Sequence, residues 1–248
     1  MAIISDNALF GIESGLTPLT IFSSSQLKFG FAADQQVYTD STLSTPVAND
    51  SDAVGGMRDL TGNGNNIIQA TSGIRPTWKK NILNGLPVIR FNGTTNALAS
   101  SAFAANISQP VGFFVIARAT SVSSATGIAM IGPINATNRI YCYLQNSAVE
   151  MYAGSPGAGA AVSANTWYGF NYYYNTTSTV SRINGGSDST PYNAGSNALS
   201  GVSFGADDQS GFSKFWPGDI LEAWCAVNPT SQQRSQMDTY MRLRSAAW

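Results

Sequence analysis

Trp216-Pro217-Gly218-Asp219-Ile220-Leu221-Glu222-Ala223-Trp224-Cys225-Ala226-Val227-Asn228-Pro229-Thr230-Ser231-Gln232-Gln233 is the stretch that decides the fold. From Ile220 to Val227 every side chain but Glu222 is apolar. Successive side chains of a strand point to opposite faces, so such a run needs cover on both sides and belongs at a central position. Asn228-Pro229 ends it. Thr230 with glutamine three residues on is a capping box, which satisfies two otherwise orphaned donors at a helix start. Met237, Tyr240, Met241 and Arg244 then recur at i, i+3, i+4 and i+7, the spacing of one helical face. Arg242 and Arg244 fall in the last turn, where the helix dipole favours cations. The stretch therefore predicts a buried strand leading into one terminal helix that ends near Arg244.

Working back along the chain, short apolar runs recur at the spacing of all-β folds, separated by Gly, Asn and Pro. They are Leu27 to Phe31, Ile67 to Ala70, Pro87 to Phe91, Val111 to Ala119, Gly127 to Ile131, Arg139 to Leu144, Ala148 to Tyr152, Thr166 to Tyr174, Thr179 to Ile183 and Val202 to Phe204. Val111 to Ala117 is apolar on both faces, a second central strand. Asn184-Gly185 after Val180 to Ile183 is a hairpin signal. Residues 40 to 66 read as a long loop or turns, and Gly154 to Ala164 as a flexible loop. No repeat of 20–50 residues is evident.

Composition narrows the function classes. Only 11% of the 248 residues are charged, against about 25% in ordinary soluble proteins. The net charge of −1 offers no footprint for nucleic acid. A low net charge also removes one brake on self-association, which suits a chain that packs into an assembly. There is no histidine, which excludes Ser-His-Asp and Cys-His nucleophile systems and the common His-based metal sites. The two cysteines, Cys142 and Cys225, lie in apolar runs and read as small buried hydrophobes. The N-terminal residues lack a charged n-region and a continuous apolar core, so no secretory signal is expected. No run is long enough to predict a membrane span.

Three blocks resemble a known family. The first is Asp52-Ala53-Val54-Gly55-Gly56-Met57-Arg58-Asp59-Leu60-Thr61-Gly62-Asn63-Gly64-Asn65-Asn66, then Gln69, Arg75-Pro76-Thr77, Asn84-Gly85 and Pro87-Val88-Ile89-Arg90-Phe91-Asn92-Gly93. The second runs from Trp167 to Asn184-Gly185. The third is Trp216 to Trp224 followed by Asn228-Pro229-Thr230-Ser231-Gln232-Gln233-Arg234 and Met237 to Met241. Together they resemble concanavalin A-like/laminin-G-like domains of phage and bacterial surface proteins. Met57 stands where that pattern has Trp, Thr61 where it has Ser, and Asn92 where it has Asp. The resemblance covers roughly residues 27 to 248. It implies a two-sheet antiparallel jelly-roll sandwich with a short C-terminal helix. It further implies a non-enzymatic bacteriophage virion surface protein, made in the host cytoplasm and carried in the virion as a capsid decoration, head fibre or tail-associated module. Its partners would be other virion proteins, further copies of itself and a host cell-surface glycan, with no nucleic acid and no membrane insertion. A glycan-binding adhesin on the same fold is the alternative, and a glycoside hydrolase a third.

Several side chains are candidates for chemistry. Glycoside hydrolysis needs two carboxylates facing one sugar bond. The chain has three glutamates, Glu13, Glu150 and Glu222. Asp219 and Glu222 are three apart, so a regular strand would aim them at opposite faces. No convincing catalytic pair emerges, and no cofactor is expected; Ca²⁺ is the one candidate ion. Calcium wants several oxygens, and Asp59 with Asn63 and Asn65, or Asp207 with Asp208, could supply them. Turn formation by Asp59, Asn63 and Asn65, and solvation of Asp207 and Asp208 in a loop, is the stronger reading of these residues. Tyr141 with Tyr143, and Tyr172 with Tyr174, each share a strand face, while Tyr173 points away. With Tyr152 they would form a saccharide platform on the concave sheet, or else pack on a half-buried sheet. Residues 1–26, with Ile3, Ile4, Leu9 and Phe10, are too apolar for a plain solvated tail. They read as an arm docking onto a partner, or as extra cover for the chain's own domain.

Overall fold

A computed structural model describes residues 15–248. Ile3, Ile4, Leu9 and Phe10 lie outside the described residues. The elements in chain order are α1 (Pro18–Ile21), β1 (Leu27–Ala32), β2 (Val37–Tyr38), β3 (Gly56–Met57), β4 (Ile67–Ile68), β5 (Thr77–Leu83), β6 (Leu86–Asn92), β7 (Leu98–Ser100) and β8 (Val111–Ala119). They continue with β9 (Ile128–Gly132), β10 (Tyr141–Gln145), β11 (Ala148–Tyr152), β12 (Pro156–Ala161), β13 (Tyr168–Tyr174), β14 (Val180–Ile183), β15 (Ser203–Phe204), β16 (Pro217–Val227) and α2 (Ser231–Ser245).

All pairings are antiparallel, and the strands form the two sheets of a jelly-roll sandwich. The seven-stranded sheet runs β14-β13-β8-β16-β6-β5, with β1 also on β16. β16 is long enough to share one edge between two partners. β6 pairs with Pro217 to Ile220 and β1 with Glu222 to Ala226, while β8 lines the whole opposite edge. The nine-stranded sheet runs β12-β11-β10-β9-β15-β7-β4-β3-β2.

The inner faces meet in one apolar core. Phe29, Phe31, Phe113, Val115, Ala223 and Cys225 come from the first sheet, and Met130, Cys142, Leu144, Met151 and Phe204 from the second. The Phe31 and Phe204 rings meet edge to face across the sheets with centroids 5.2 Å apart, an arrangement worth about 0.5–1.5 kcal/mol beyond area burial. Both cysteines are free and buried.

The outer face of the seven-stranded sheet is covered too. Phe114, Ile116, Leu221, Trp224 and Ala226 pack against Met237, Tyr240 and Met241 of α2 and against Ile21 and Phe22 beside α1. This second layer explains why β8 and β16 are apolar at both parities. The helix starts as expected: the Gln233 N–H donates to Thr230 Oγ1 at 3.2 Å, and Gln233 Oε1 accepts the Thr230 N–H at 3.0 Å. It ends one residue beyond Arg244, with Ala246 in the left-handed region. Among the described residues no helix is long and apolar enough to cross a membrane.

Three local expectations change. Residues 156 to 161 are a strand, not part of a flexible loop: β12 pairs with β11, and the Tyr192 ring lies where a Cβ on Gly157 would sit. Glycine and alanine carry little strand preference of their own, so the ladder and that packing impose the strand. The Asn184-Gly185 turn closes, with the Gly186 N–H on Ile183 O at 3.0 Å, but the returning chain pairs irregularly, at Ser189 with Ser181 and Tyr192 with Thr179. Asp219 and Glu222 share one face. The ladder shifts between Ile220, opposite Ala117, and Glu222, opposite Ile116. The bulge leaves Leu221 and Glu222 both on the outer side and inverts the parity a regular strand would keep.

Candidate functional site

The tyrosines divide into two groups. Tyr172 and Tyr174 point inward from β13 and are fully buried between the sheets. The Tyr174 hydroxyl donates to the Tyr141 carbonyl and lies 3.6 Å from Cys142 Sγ. Burial pushes both hydroxyls well above the ordinary tyrosine value. They are core residues and leave the expected platform, because inward parity on β13 faces them into the sandwich rather than onto a surface. Tyr173 faces the other way, beneath Arg234 at 4.8 Å.

Tyr141, Tyr143 and Tyr152 do come together, on the outer face of the nine-stranded sheet, where Tyr141 and Tyr143 are buried and Tyr152 is part-exposed. Cys142 and Leu144 of β10, and Val149 and Met151 of β11, point into the core. The intervening tyrosines therefore point out, and Tyr141 stands directly across the ladder from Tyr152. The Tyr141 centroid is 5.7 Å from that of Tyr143 and 5.5 Å from that of Tyr152, edge to face in both cases. Gly127, at φ +84°, lies against the Tyr143 ring where a Cβ would come within 2.9 Å.

Two cations overhang these rings. The Arg139 guanidinium carbon is 4.8 Å from the Tyr152 centroid, and Arg139 donates to Tyr152 Oη at 2.6 Å and to Gln209 Oε1. Lys214 Nζ is 4.9 Å from the Tyr141 centroid and 5.9 Å from that of Tyr143. With Pro156 these residues line a shallow depression of about 180 Å³. The Tyr141 hydroxyl is anchored on Asp207, only 1% exposed, which accepts from Tyr141 Oη at 2.8 Å and Gln209 Nε2 at 2.6 Å. Burial raises the Asp207 carboxyl, opposed by the Tyr141 hydrogen bond and by Lys214. Burial, with Asp207 beside it, raises the Tyr141 hydroxyl, and burial pushes Tyr143 up to about 12. These phenols stay neutral donors at any physiological pH. Glu150 stands across the ladder from Tyr143, its carboxyl raised by burial.

Arg139, Gln209, Lys214 and Pro156 escaped the sequence reading. Arg139 was legible, since Arg139, Tyr141 and Tyr143 alternate on one face. Lys214 and Gln209 arrive from a segment about 70 positions on, for which no local signal exists.

The other candidates are committed elsewhere. Asp59 Oδ1 accepts from the Gly30 N–H at 3.1 Å, the Thr61 N–H at 3.0 Å and Thr61 Oγ1 at 2.7 Å, and its Oδ2 accepts from the Asn65 N–H at 3.1 Å. Asn63 and Asn65 direct their amide nitrogens onto the Leu27 and Lys28 carbonyls at 2.9 and 2.8 Å. This set locks a turn onto β1; calcium needs free oxygens, and here they face donors. At Asp207 and Asp208 the Lys214 ammonium stands 3.9 Å from Asp207 Oδ2, where a second cation would be repelled. Asp219 is fully buried between Arg90, at 2.7 and 3.0 Å, and Arg118. Glu222 accepts from Tyr240 Oη at 3.0 Å and Arg244 Nε at 3.3 Å.

No family model matches the chain, and no curated protein sequence does either. Solved structures are similar in fold. Domain 4 of AbnA, a GH43 extracellular arabinanase from Geobacillus stearothermophilus in complex with arabinotriose, superposes at TM-score 0.54 with 14% identity, over 86% of this chain and 98% of that one. Trypanosoma rangeli sialidase in complex with sialic acid gives TM-score 0.56 and 11% identity over 96% of this chain, which spans 37% of the sialidase. An arabinofuranosidase complexed with arabinofuranosyl-alpha-1,2-xylobiose gives TM-score 0.55 and 14% identity, over 78% of this chain and 51% of that one. At such identities the similarity establishes the antiparallel sandwich.

Proposed function

We propose that the chain is a carbohydrate-binding module that holds a glycan at the Tyr141–Tyr143–Tyr152 patch. The observation that carries this reading is a shallow depression on one sheet face where the part-exposed Tyr152 and two cations meet over the buried Tyr141 and Tyr143. Sugars present apolar C–H faces and hydroxyls together, and the part-exposed Tyr152 ring beside the Arg139 and Lys214 N–H donors meets both. Domain 4 of AbnA, a sandwich of similar fold in complex with arabinotriose, agrees with it. Binding rather than turnover is the reading because Asp207, Asp219 and Glu222 are each tied into internal hydrogen bonds or ion pairs. A glycan array probed with the full chain tests it. Selective binding that Tyr152→Ala abolishes supports the module; no retention of any glycan ends it. Product analysis of the best ligand after long incubation checks for cleavage.

A second reading, the virion setting, is carried by the three sequence blocks that resemble those of phage and bacterial surface domains. In it the module decorates a capsid or fibre as a self-associated subunit. Co-purification of the chain with intact particles is the expected result, and its absence from them would remove this setting.

A further inference from the structure

We infer that the saccharide taken at this patch is an acidic sugar, a uronate or sialate whose carboxylate is received by Lys214 and Arg139. The inference rests on the glycan-binding reading and narrows it. On an open aromatic platform a pyranose lies flat on the ring. Here cations already stand over the rings of Tyr141 and Tyr152, at 4.9 and 4.8 Å from their centroids. An incoming sugar meets N–H donors before it meets ring faces. Those donors are in surplus. Among the described residues Lys214 Nζ makes no hydrogen bond: its nearest carboxylate oxygen, on Asp207, is 3.9 Å away, and Asp207 takes its bonds from Tyr141 and Gln209. Arg139 spends one nitrogen on Tyr152 and one on Gln209, and its Nε donates to no described residue.

The backbone supports the same conclusion. Lys214 lies at φ +49°, in the left-handed region. It is held there by the Ala129 N–H on its carbonyl at 2.7 Å and by the Asp207–Ser213 bridge at 2.8 Å on both bonds. The turn thus aims an ammonium at the depression. Two carboxylates, Asp207 and Glu150, share the neighbourhood. Asp207 is buried with its oxygens occupied, and Glu150, across the ladder from Tyr143, does not line the depression, so the charged groups that line it are the two cations. Charge-assisted N–H···O⁻ bonds are roughly twice as strong as neutral ones. At about 180 Å³ the depression is smaller than the ~300–1,000 Å³ of drug-sized sites, which suits one terminal sugar ring.

The test compares ligands that differ only in charge: trigalacturonate against its methyl ester, and the methyl glycoside of N-acetylneuraminic acid against its methyl ester, titrated calorimetrically into the full chain. At least one acid should bind about tenfold or more tighter than its ester, and added salt should erode that margin. Lys214→Met, which keeps the stem and removes the charge, should bring acid and ester together, while Lys214→Arg restores the margin. Arg242→Ala, an exposed cation on α2 away from the patch, should leave it unchanged. Should acid and ester bind equally, or only neutral glycans bind, the acidic-sugar inference falls and the glycan reading stands. Should no acidic or neutral glycan bind, both fall.

Discussion

Asp219 and Glu222, three residues apart on β16, project from the same face of the sheet because Leu221 bulges between them. Each enters a different ion-pair network: Asp219 ties β16 to Arg90 of β6 and Arg118 of β8, and Glu222 ties it to Tyr240 and Arg244 of α2. One bulged residue thus lets a single strand anchor both its own sheet and the helix that covers it.

The Asp219 carboxylate has no exposed surface, so its loss strands two arginines. Asp219→Ala should cost about 1–3 kcal/mol, because the arginines left behind, Arg90 at 39% and Arg118 at 23% side-chain exposure, are partly solvated. Urea unfolding of the variant reads this directly. A loss within the error of the measurement would show that the arginines find water instead.

Glu222 predicts a pH dependence. Burial raises its carboxyl, against the pull of Arg244. The folded state therefore holds this proton at pH values where an unfolded glutamate, near 4.3, has released it. The contribution favours folding at low pH and is lost as pH rises through the folded value. Glu222→Gln lacks this titration, so the variant should gain on the wild type from pH ~4.3 upward. Parallel stability curves for the two across that range would refute the assignment.

The two tyrosine groups should behave oppositely on truncation. Tyr174→Ala empties a fully buried site and should destabilise by about 3–5 kcal/mol. Tyr152→Ala, at the half-buried patch, should leave the melting temperature within a few degrees and remove glycan retention. Paired thermal melts and binding assays separate them, and the prediction fails if Tyr152→Ala unfolds the chain as Tyr174→Ala does.

Gly205 is required by conformation and by space. Its φ is +76°, and a Cβ there would come within 2.0 Å of the Phe91 ring. Gly205→Ala should cost about 1–3 kcal/mol through overpacking alone, with the left-handed backbone adding to it. Thr230→Ala offers a milder comparison, about 1 kcal/mol for a lost helix cap. Equilibrium unfolding should rank Gly205→Ala as the worse of the two.

What the sequence determined by itself is local. The two-sided apolar runs at Val111 to Ala117 and Ile220 to Val227, the capping box at Thr230 and the helical stripe through Met241 all depend on neighbours a few positions away. Strand parity and helix period are readable at that range. Tertiary structure decided what depends on partners far along the chain. It made a strand of Pro156–Ala161, whose glycines and alanines carry no pattern, by pairing it with β11. It sent Tyr172 and Tyr174 into the core between the sheets and Tyr141, Tyr143 and Tyr152 to the outer face, where Tyr141 and Tyr143 are buried as well, because parity separates two faces but does not say which one meets the other sheet or what covers the outer one. It brought Lys214 over Tyr141 from about 70 positions on, and it placed the bulge at Leu221 where two ladders with different registers meet on one strand. The fold class was legible because alternation and capping are short-range physics. The site was only half legible because its cations and its tyrosines meet through the sheet.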